Sequence, residues 1–373
     1  MVPAYKDLIE RAAENIGRED WGSPSPQPNS SPFTGKKAYE WLQQAATKPM
    51  PKQLFGHFWF EGELCVLFAT TNTGKSILAV QIADNIASGI SSAGWDVNCG
   101  PRKVLFFDFE LSDRQFTRRY SEEEDGRYSN LYRFHDNFIR YERQAAAPPE
   151  GVNMAEYYIQ SIRQEVQQQQ AQIIIIDNIT WINHRLEKSA EAGAFMQHLN
   201  NLKKEEELSI LLIAHTPKRD PTTPITINDL AGSAQLMNFL DSSFAIGMSR
   251  KDPQIRYLKQ IKVRECEKTY GEENVMVCML EKPINFLKYT FLDYGREQEH
   301  LRQQSEKGRS ARDAEIIELY ADLQSYRAVA ERVGVSHQTV KRVIDRNLAT
   351  AEEAEDDNPA NWIEDEEEED IPF

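Results

Sequence analysis

The segment that most constrains this chain is residues 69–76, which read Ala-Thr-Thr-Asn-Thr-Gly-Lys-Ser. An apolar run, residues 64–68, precedes the segment, and a run with apolar residues at helical spacing, residues 77–83, follows it. Strand, glycine-containing turn and helix in this order are typical of a P-loop, where main-chain N–H groups and the positive end of a helix surround a phosphate. The sequence therefore predicts a nucleotide site at the edge of a parallel sheet.

The P-loop residues divide into those that contact the phosphates and those that hold a metal ion. Lys75 is expected to reach the β- and γ-phosphates of ATP, and the Ser76 hydroxyl is expected to bind Mg²⁺. The usual motif begins with glycine, where this chain has Ala69. Alanine is adequate if the position needs only a small residue, but it costs about 1 kcal/mol or more if φ must be positive. The predicted nucleotide contacts are Thr71, Asn72, Thr73, Gly74, Lys75, Ser76 and Ile77.

Two further apolar runs end in carboxylates. Residues 103–110 end in Glu110, and residues 173–177 are four isoleucines followed by Asp177. Ligands of parallel sheets lie at the carboxyl ends of the strands, so both acids are expected to face the nucleotide. Glu110 would orient or deprotonate the attacking water, with Asp108 as a competing candidate, and Asp177 would hold Mg²⁺.

A third apolar run, residues 208–215, ends in His215, which is expected to touch the γ-phosphate, although a lone histidine is often structural. The proline-rich residues 216–230 follow and predict an irregular loop. This loop either contacts DNA phosphates through Lys218 and Arg219 or is an ordinary surface loop.

Lys262 and Arg264 lie at the end of a later apolar strand, which we expect to be an edge strand. A basic pair in this position suits a group that reaches the γ-phosphate bound by a neighbouring subunit. Ordinary edge-strand charge, which discourages aggregation, is the alternative.

Three short helices are predicted near the C-terminus, over residues 313–323, 326–333 and 336–345. Gly334 marks the turn before the third helix, and Ser336 can cap that helix. The spacing is that of a helix-turn-helix, which binds duplex DNA through residues 325–345 or serves as a protein-binding module. The expected exposed face of the third helix carries His337, Gln338, Lys341 and Arg342.

The acidic charge is concentrated in the tail. The chain of 373 residues has a net charge of −16, and residues 351–373 hold twelve acids and no Lys or Arg, which leaves −4 for the rest. A near-neutral body with local basic loops is compatible with DNA binding. The tail is expected to be disordered, with Phe373 as the anchor of an Ile-Pro-Phe peptide ligand for another protein.

Cysteine usage and hydropathy indicate a cytoplasmic protein. The four cysteines have no Cys-x-x-Cys spacing and are expected to be reduced and structural. No apolar run of 18 residues predicts a membrane span, and the first residues lack the pattern of a signal peptide. The predicted organisation is an N-terminal helix and linker (residues 1–35), an ATPase domain (36–295), a linker (296–312), a helix-turn-helix unit (313–349) and an acidic tail (350–373).

Residues 54–295 resemble RecA-like P-loop ATPases, in particular hexameric replicative helicases of the plasmid RepA and DnaB types. The resemblance identifies residues 73–76 with Walker A, Asp177 with Walker B and Glu110 with the catalytic glutamate. It identifies His215 with the polar sensor. Lys262 and Arg264 match a Lys-x-Arg pair that DnaB-type helicases insert into the adjacent subunit's site.

The resemblance implies an α/β RecA-like core with a mainly parallel sheet, ATP and Mg²⁺ as cofactors, and a hexamer that moves along single-stranded DNA. The final residues are similar to the Asp-Asp-Ile-Pro-Phe tip of bacterial single-stranded-DNA-binding proteins, which implies docking to replication proteins. A regulatory DNA-binding ATPase and a helicase loader remain alternatives.

Overall fold

The computed structural model describes residues 33–143, 148–178, 189–216, 219–230, 237–301 and 306–356. The helix predicted within residues 4–17 and the Ile-Pro-Phe tip lie outside the described residues. The chain divides into two units between Met50 and Pro51. The first unit contains helix α1 (Ala38–Ala46), which has no buried side chain and leaves Tyr39 and Leu42 exposed.

The second unit contains thirteen described strands. In chain order they are β1 (Gln53–Phe55), β2 (Trp59–Phe60), β3 (Leu64–Ala69), β4 (Val104–Asp108), β5 (Glu122–Glu124), β6 (Arg127–Ser129), β7 (Phe138–Glu142), β8 (Ile173–Asp177), β9 (Ser209–His215), β10 (Ser242–Met248), β11 (Ile255–Lys262), β12 (Val275–Glu281) and β13 (Lys288–Gly295). The helices that follow α1 are α2 (Lys75–Ser88), α3 (Asp113–Arg119), α4 (Met154–Gln169), α5 (Ser189–Glu205), α6 (Glu306–Leu323), α7 (Tyr326–Val333) and α8 (His337–Asp356).

Nine of the strands form one sheet, in the order β13-β12-β11-β10-β3-β9-β8-β4-β7. The six strands from β10 to β7 are parallel, whereas β11, β12 and β13 add antiparallel pairs at one side. The remaining strands form two hairpins, β1-β2 and β5-β6. The P-loop strand β3 therefore lies inside the sheet, with β9 on one side and β10 on the other.

The sheet is buried on both faces, which explains the unbroken apolar runs of its central strands. Cys65 and Leu67 pack with the apolar side of α2 on one face. Leu64, Val66 and Phe68 pack with residues of α4 and α5 on the other face. Alternate side chains of β3 thus serve two separate cores.

Within the second unit, helices α6, α7 and α8 form a three-helix cluster. This cluster is built around Ile316, Val329 and Val340, which are all fully buried. Its first helix begins at Glu306, earlier than predicted, and its third helix continues to Asp356, beyond the predicted end at residue 345. Helix α8 thus includes residues 351–356, the first part of the tail that was expected to be disordered. These residues are rich in Ala and Glu, which favour helix over coil. Among the described residues, no helix combines the length and apolar character needed to cross a bilayer.

Candidate functional site

The P-loop joins the end of β3 to the start of α2 with two left-handed residues. Asn72 has φ 62° and Gly74 has φ 99°. Ala69 is the last residue of the extended strand β3, so this position requires only a small side chain. The departure from the usual first glycine is therefore accommodated without a left-handed backbone.

Two distant side chains hold the turn of the P-loop. The Thr73 carbonyl accepts hydrogen bonds from Arg256 Nε at 3.0 Å and from the Tyr289 hydroxyl at 2.7 Å. A Cβ at Gly74 would lie 2.7 Å from the Tyr289 hydroxyl oxygen, so a side chain is excluded there. The antiparallel strands β11 and β13 therefore fix the conformation of the loop.

Lys75 is buried and its ammonium group folds back over the loop. Its Nζ donates to the carbonyls of Ala69 at 3.0 Å and Thr70 at 2.9 Å. Burial lowers the pKa of Lys75 to about 8, against the opposing charges of Asp177 and Glu110. A bound phosphate would supply the anionic partner that this ammonium group lacks, and would favour its charged form.

Asp177 ends β8 and is fully buried. Burial raises its pKa to about 7; the Ser76 hydroxyl and Lys75 lower it, while Glu110 and Asp108 raise it further. Although the Ser76 hydroxyl is near enough to lower this pKa, neither carboxylate oxygen has a hydrogen-bond partner among the described residues.

A buried carboxylate without donors is suited to a cation, and Mg²⁺ prefers oxygen ligands. Asp177 and Ser76 therefore fit the predicted Mg²⁺ site. The described residues contain no cluster of three or more acidic, His or Cys side chains able to hold a metal ion. Phosphate oxygens and water would have to complete the coordination.

Glu110, Asn178 and His215 meet at the carboxyl ends of three adjacent strands, β4, β8 and β9. The Asn178 side-chain nitrogen lies 2.8 Å from Glu110 Oε2 and 3.0 Å from His215 Nε2. The structure thus brings Glu110 and His215 together at the carboxyl ends of the parallel strands, where Lys75 and Asp177 also lie.

Asp108, the competing candidate for Glu110, is occupied by structural contacts. Its Oδ1 accepts from the main-chain N–H groups of Glu110 at 3.1 Å and Leu111 at 2.9 Å, and its Oδ2 accepts from Arg140 Nε at 2.9 Å. These bonds turn the chain after β4 so that Glu110, two residues beyond the strand, is exposed. Asp108 therefore supports the turn, and Glu110 remains the predicted water-positioning carboxylate.

Lys262 and Arg264 lie near the amino end of β3, whereas Lys75 lies beyond its carboxyl end. Arg264 pairs with Asp241 at 3.0 Å, and the Asp241 main-chain N–H bonds to the carbonyl of Leu64, the first residue of β3. The length of β3, about 17 Å, thus separates the pair from the P-loop of its own chain. The expectation that Lys262 ends an edge strand is wrong, because β11 pairs with both β10 and β12.

The described part of this loop, residue 216 and residues 219–230, is irregular, as expected, except for a 3₁₀ turn at Ile227–Asp229. Arg219 Nε pairs with Asp229 at 3.2 Å within the loop, while Lys218 lies outside the described residues. Because Arg219 is only 14% exposed, its guanidinium group braces the loop in this conformation.

The helix-turn-helix features agree with the sequence pattern. Gly334 has φ 73°, and the Ser336 hydroxyl accepts from the Thr339 N–H at 3.1 Å, which caps α8. The four side chains predicted for its outer face are all exposed: His337, Gln338, Lys341 and Arg342.

Sequence reasoning missed four residues that shape the site. Asn178 could have been found, because it is a polar residue directly after a buried strand. Arg140, Arg256 and Tyr289 have no local signal, because each reaches its partner across 32 residues or more of sequence.

Comparison with known proteins identifies two families along the chain. The model of the family described as "AAA domain" matches residues 32–221, and that described as "Homeodomain-like domain" matches residues 309–354. These matches confirm the predicted fold class, an α/β P-loop core with a mainly parallel sheet followed by a helical helix-turn-helix unit.

No curated protein matches the chain. Among solved structures, the crystal structure of a KaiC-like protein from the hyperthermophilic archaeon Pyrococcus horikoshii is similar, with 15% identity and a TM-score of 0.44. The similarity covers 63% of this chain and 91% of that chain.

Proposed function

The chain belongs to the AAA domain family, and on this premise we propose that it is an ATP-hydrolysing DNA replication protein. The favoured role is that of a hexameric DNA helicase or replication-initiation ATPase of a plasmid, phage or mobile element. The P-loop and its surroundings support ATP hydrolysis, and the helicase role rests on the resemblance to RepA- and DnaB-type proteins.

The residues at the carboxyl edge of the sheet have complementary roles in phosphate transfer. Lys75 would bind the β- and γ-phosphates, and Ser76 and Asp177 would hold Mg²⁺, which would neutralise phosphate charge. Glu110 orients the water that attacks the γ-phosphate and accepts its proton. His215 contacts the γ-phosphate from the neighbouring strand β9.

The single observation that supports the proposal of an oligomeric motor is the separation of Arg264 from Lys75 by the length of β3. A protomer cannot bring Lys262 and Arg264 to its own nucleotide, whereas a neighbouring protomer can present them to it. An arginine supplied in this way accelerates related phosphate transfers by about 10³-fold or more. The arrangement suits a ring, taken to be a hexamer, with ATP at each interface and single-stranded DNA in the centre.

The proposal is tested by steady-state phosphate release from ATP with and without single-stranded DNA. Wild-type protein is expected to hydrolyse ATP and to be stimulated by DNA, and Glu110→Gln is expected to lose about 10²-fold or more of that rate. Glu156→Gln, which changes an exposed carboxylate of α4, is the matched control. Hydrolysis that ignores DNA would contradict a translocating motor, and hydrolysis that survives Glu110→Gln would contradict the role of that carboxylate.

A second candidate is a regulatory ATPase whose helix-turn-helix reads a duplex site while ATP switches assembly. The observation that favours it is the exposed face of α8, which presents Gln338, Lys341 and Arg342 to solvent. Strand separation on a forked substrate supports the helicase. Tight, sequence-specific duplex binding without strand separation supports the regulator.

A third candidate is a loader that recruits a replication protein through its acidic tail, of which residues 357–373 lie outside the described residues. Deleting residues 371–373 is expected to abolish binding of that partner and to leave ATP hydrolysis unchanged. A truncated chain that still binds every replication partner of the intact chain would contradict the role of the tail.

A further inference from the structure

A single side-chain amide connects the predicted water-positioning carboxylate to the predicted phosphate sensor. Asn178 directly follows Asp177 and is 7% exposed. Its nitrogen reaches Glu110 Oε2 at 2.8 Å and His215 Nε2 at 3.0 Å. The P-loop motif does not include this residue, and the roles proposed above leave it without a function.

The chemistry of the partners fixes the orientation of this amide. A carboxylate only accepts hydrogen bonds, so the Asn178 nitrogen, and not its oxygen, must face Glu110. The same nitrogen carries a second hydrogen, which is available to His215. Nε2 of His215 accepts this hydrogen in the tautomer that carries its proton on Nδ1.

Glu110 is held at both its main chain and its side chain. The main-chain N–H is bonded to Asp108, which Arg140 fixes in turn. The exposed carboxylate would otherwise sample several rotamers, and the bond from Asn178 selects one of them. Preorganisation of this kind lowers the barrier of a reaction that depends on water placement.

His215 is itself tied to the P-loop through its chain neighbour. The N–H of Thr216 donates to the carbonyl of Ala69 at 3.0 Å. A displacement of His215 toward a phosphate would therefore alter its contact with Asn178, and through Asn178 the position of Glu110.

We propose that Asn178 is a positioning residue, which holds Glu110 in place for water activation and makes that placement depend on His215. The inference rests on the proposed ATP hydrolysis and adds to it a route by which γ-phosphate contact is coupled to water placement. The expected effect is on turnover and not on nucleotide binding, because the hydrogen bond from Asn178 to Glu110 acts on the carboxylate that orients the water.

The test measures kcat and KM for ATP, and Kd for a fluorescent ATP analogue, in Asn178→Ala and Asn178→Asp. Asn178→Ala is expected to lower kcat by about 10-fold or more, with Kd within about threefold of wild type. Asn178→Asp is expected to lower kcat further, since two carboxylates would then face each other. Asn200→Ala is the matched control, because Asn200 donates a structural hydrogen bond to the Phe239 carbonyl at 3.0 Å.

A double mutant separates positioning from general support of the fold. In the Glu110→Gln background, Asn178→Ala is expected to cause no further loss of kcat, because the two residues act as a unit. An equal loss in both backgrounds, or unchanged kcat in both Asn178 variants, would overturn the inference. If Asn178→Ala does not fold, His215→Leu and His215→Gln test the network from its other end, with kcat retained better in the variant that keeps an acceptor. Equal kcat in those two variants would then overturn the inference.

The two proposals fail differently. Wild-type protein that hydrolyses no ATP under any condition would overturn the proposed function and the inference that rests on it. Wild-type hydrolysis that is lost in Glu110→Gln and intact in both Asn178 variants would overturn the inference alone.

Discussion

Tyr289 lies over Gly74 so closely that its hydroxyl oxygen would be 2.7 Å from a Cβ at that position. The same hydroxyl donates to the Thr73 carbonyl at 2.7 Å. Two features therefore require glycine at residue 74: its left-handed φ of 99° and the Tyr289 hydroxyl that lies against it. The conformation of the P-loop thus depends on a strand more than 200 residues later in the chain.

Tyr289→Phe is expected to lower the free energy of unfolding by about 1 kcal/mol, because a buried hydrogen bond to Thr73 is lost. Nucleotide affinity is expected to fall by about fivefold, since the Thr73 carbonyl then keeps the hydrogen bond from Arg256 but loses the one from Tyr289. Urea unfolding and titration with a fluorescent ATP analogue measure the two effects. Tyr128→Phe, at an exposed position, is the control, and equal nucleotide affinity in the two variants would contradict the role of Tyr289.

Glu63→Gln is expected to stabilise the protein increasingly as the pH rises. Burial raises the pKa of Glu63, against the hydrogen bonds that Oε2 accepts from the Phe60 N–H and the Ser242 hydroxyl, while Asp241 and Glu265 raise it further. The folded state therefore binds the Glu63 proton more tightly than the unfolded state does. Tighter proton binding by Glu63 stabilises the folded state in full below pH 4.5, the ordinary pKa of a glutamate. This stabilisation is lost as the pH rises through the raised pKa.

Glutamine resembles the protonated acid at every pH, so its advantage over wild type should be small near about pH 5 and larger near about pH 8. Urea unfolding of both proteins at the two pH values measures the difference. An advantage that is constant with pH would show that the Glu63 carboxyl does not carry the raised pKa.

Arg264→Ala is expected to lower ATP turnover by about 10³-fold while leaving nucleotide binding and stability near wild type. The side chain is 53% exposed, so its pair with Asp241 contributes little to folding. Lys251→Ala, which removes another half-exposed ion pair, is the control.

Mixing two inactive variants distinguishes a neighbour's arginine from one that acts within its own chain. Arg264→Ala retains Glu110, and Glu110→Gln retains Arg264, so a mixed assembly contains interfaces with both groups intact. Partial recovery of ATP hydrolysis on mixing is the expected result. No recovery, in a mixture shown to contain mixed oligomers, would contradict the in-trans assignment.

Lys341→Ala and Arg342→Ala are expected to weaken duplex binding by removing phosphate contacts, without altering the three-helix core. Each substitution should also reduce the slope of log affinity against log salt by about 1. Fluorescence anisotropy at several salt concentrations measures both quantities. Arg332→Ala on α7 is the exposed control, and unchanged binding in the α8 variants would favour a protein-binding role for the unit.

The sequence pattern predicted the features that depend on local spacing. The isoleucine run before Asp177 and the Gly-Lys-Ser segment place a strand end and a helix start without reference to the rest of the chain. The cap at Ser336 and the turn at Gly334 are local in the same sense, and the structure has both.

The features that escaped prediction depend on contacts between distant segments. Nothing near Arg256 or Tyr289 indicates that both side chains reach Thr73, because strand pairing across the sheet brings them there. The strand that ends at Lys262 was predicted to be an edge strand, because an apolar run does not reveal the order of strands in a sheet. The continuation of α8 to Asp356 does not follow from the acidic composition of residues 351–356, because Ala and Glu in the same residues favour helix.

The hydrogen bonds from Arg256 and Tyr289 to Thr73 have a consequence for synthesis of the chain. The P-loop is translated early, but the two side chains that hold it emerge from the ribosome only after about 180 and 215 further residues. Nascent chains that end before β11 are therefore expected to lack a preformed phosphate site, even though β3 and α2 are already complete. We therefore expect nucleotide binding to begin late in synthesis, once the strands that carry Arg256 and Tyr289 have joined the sheet.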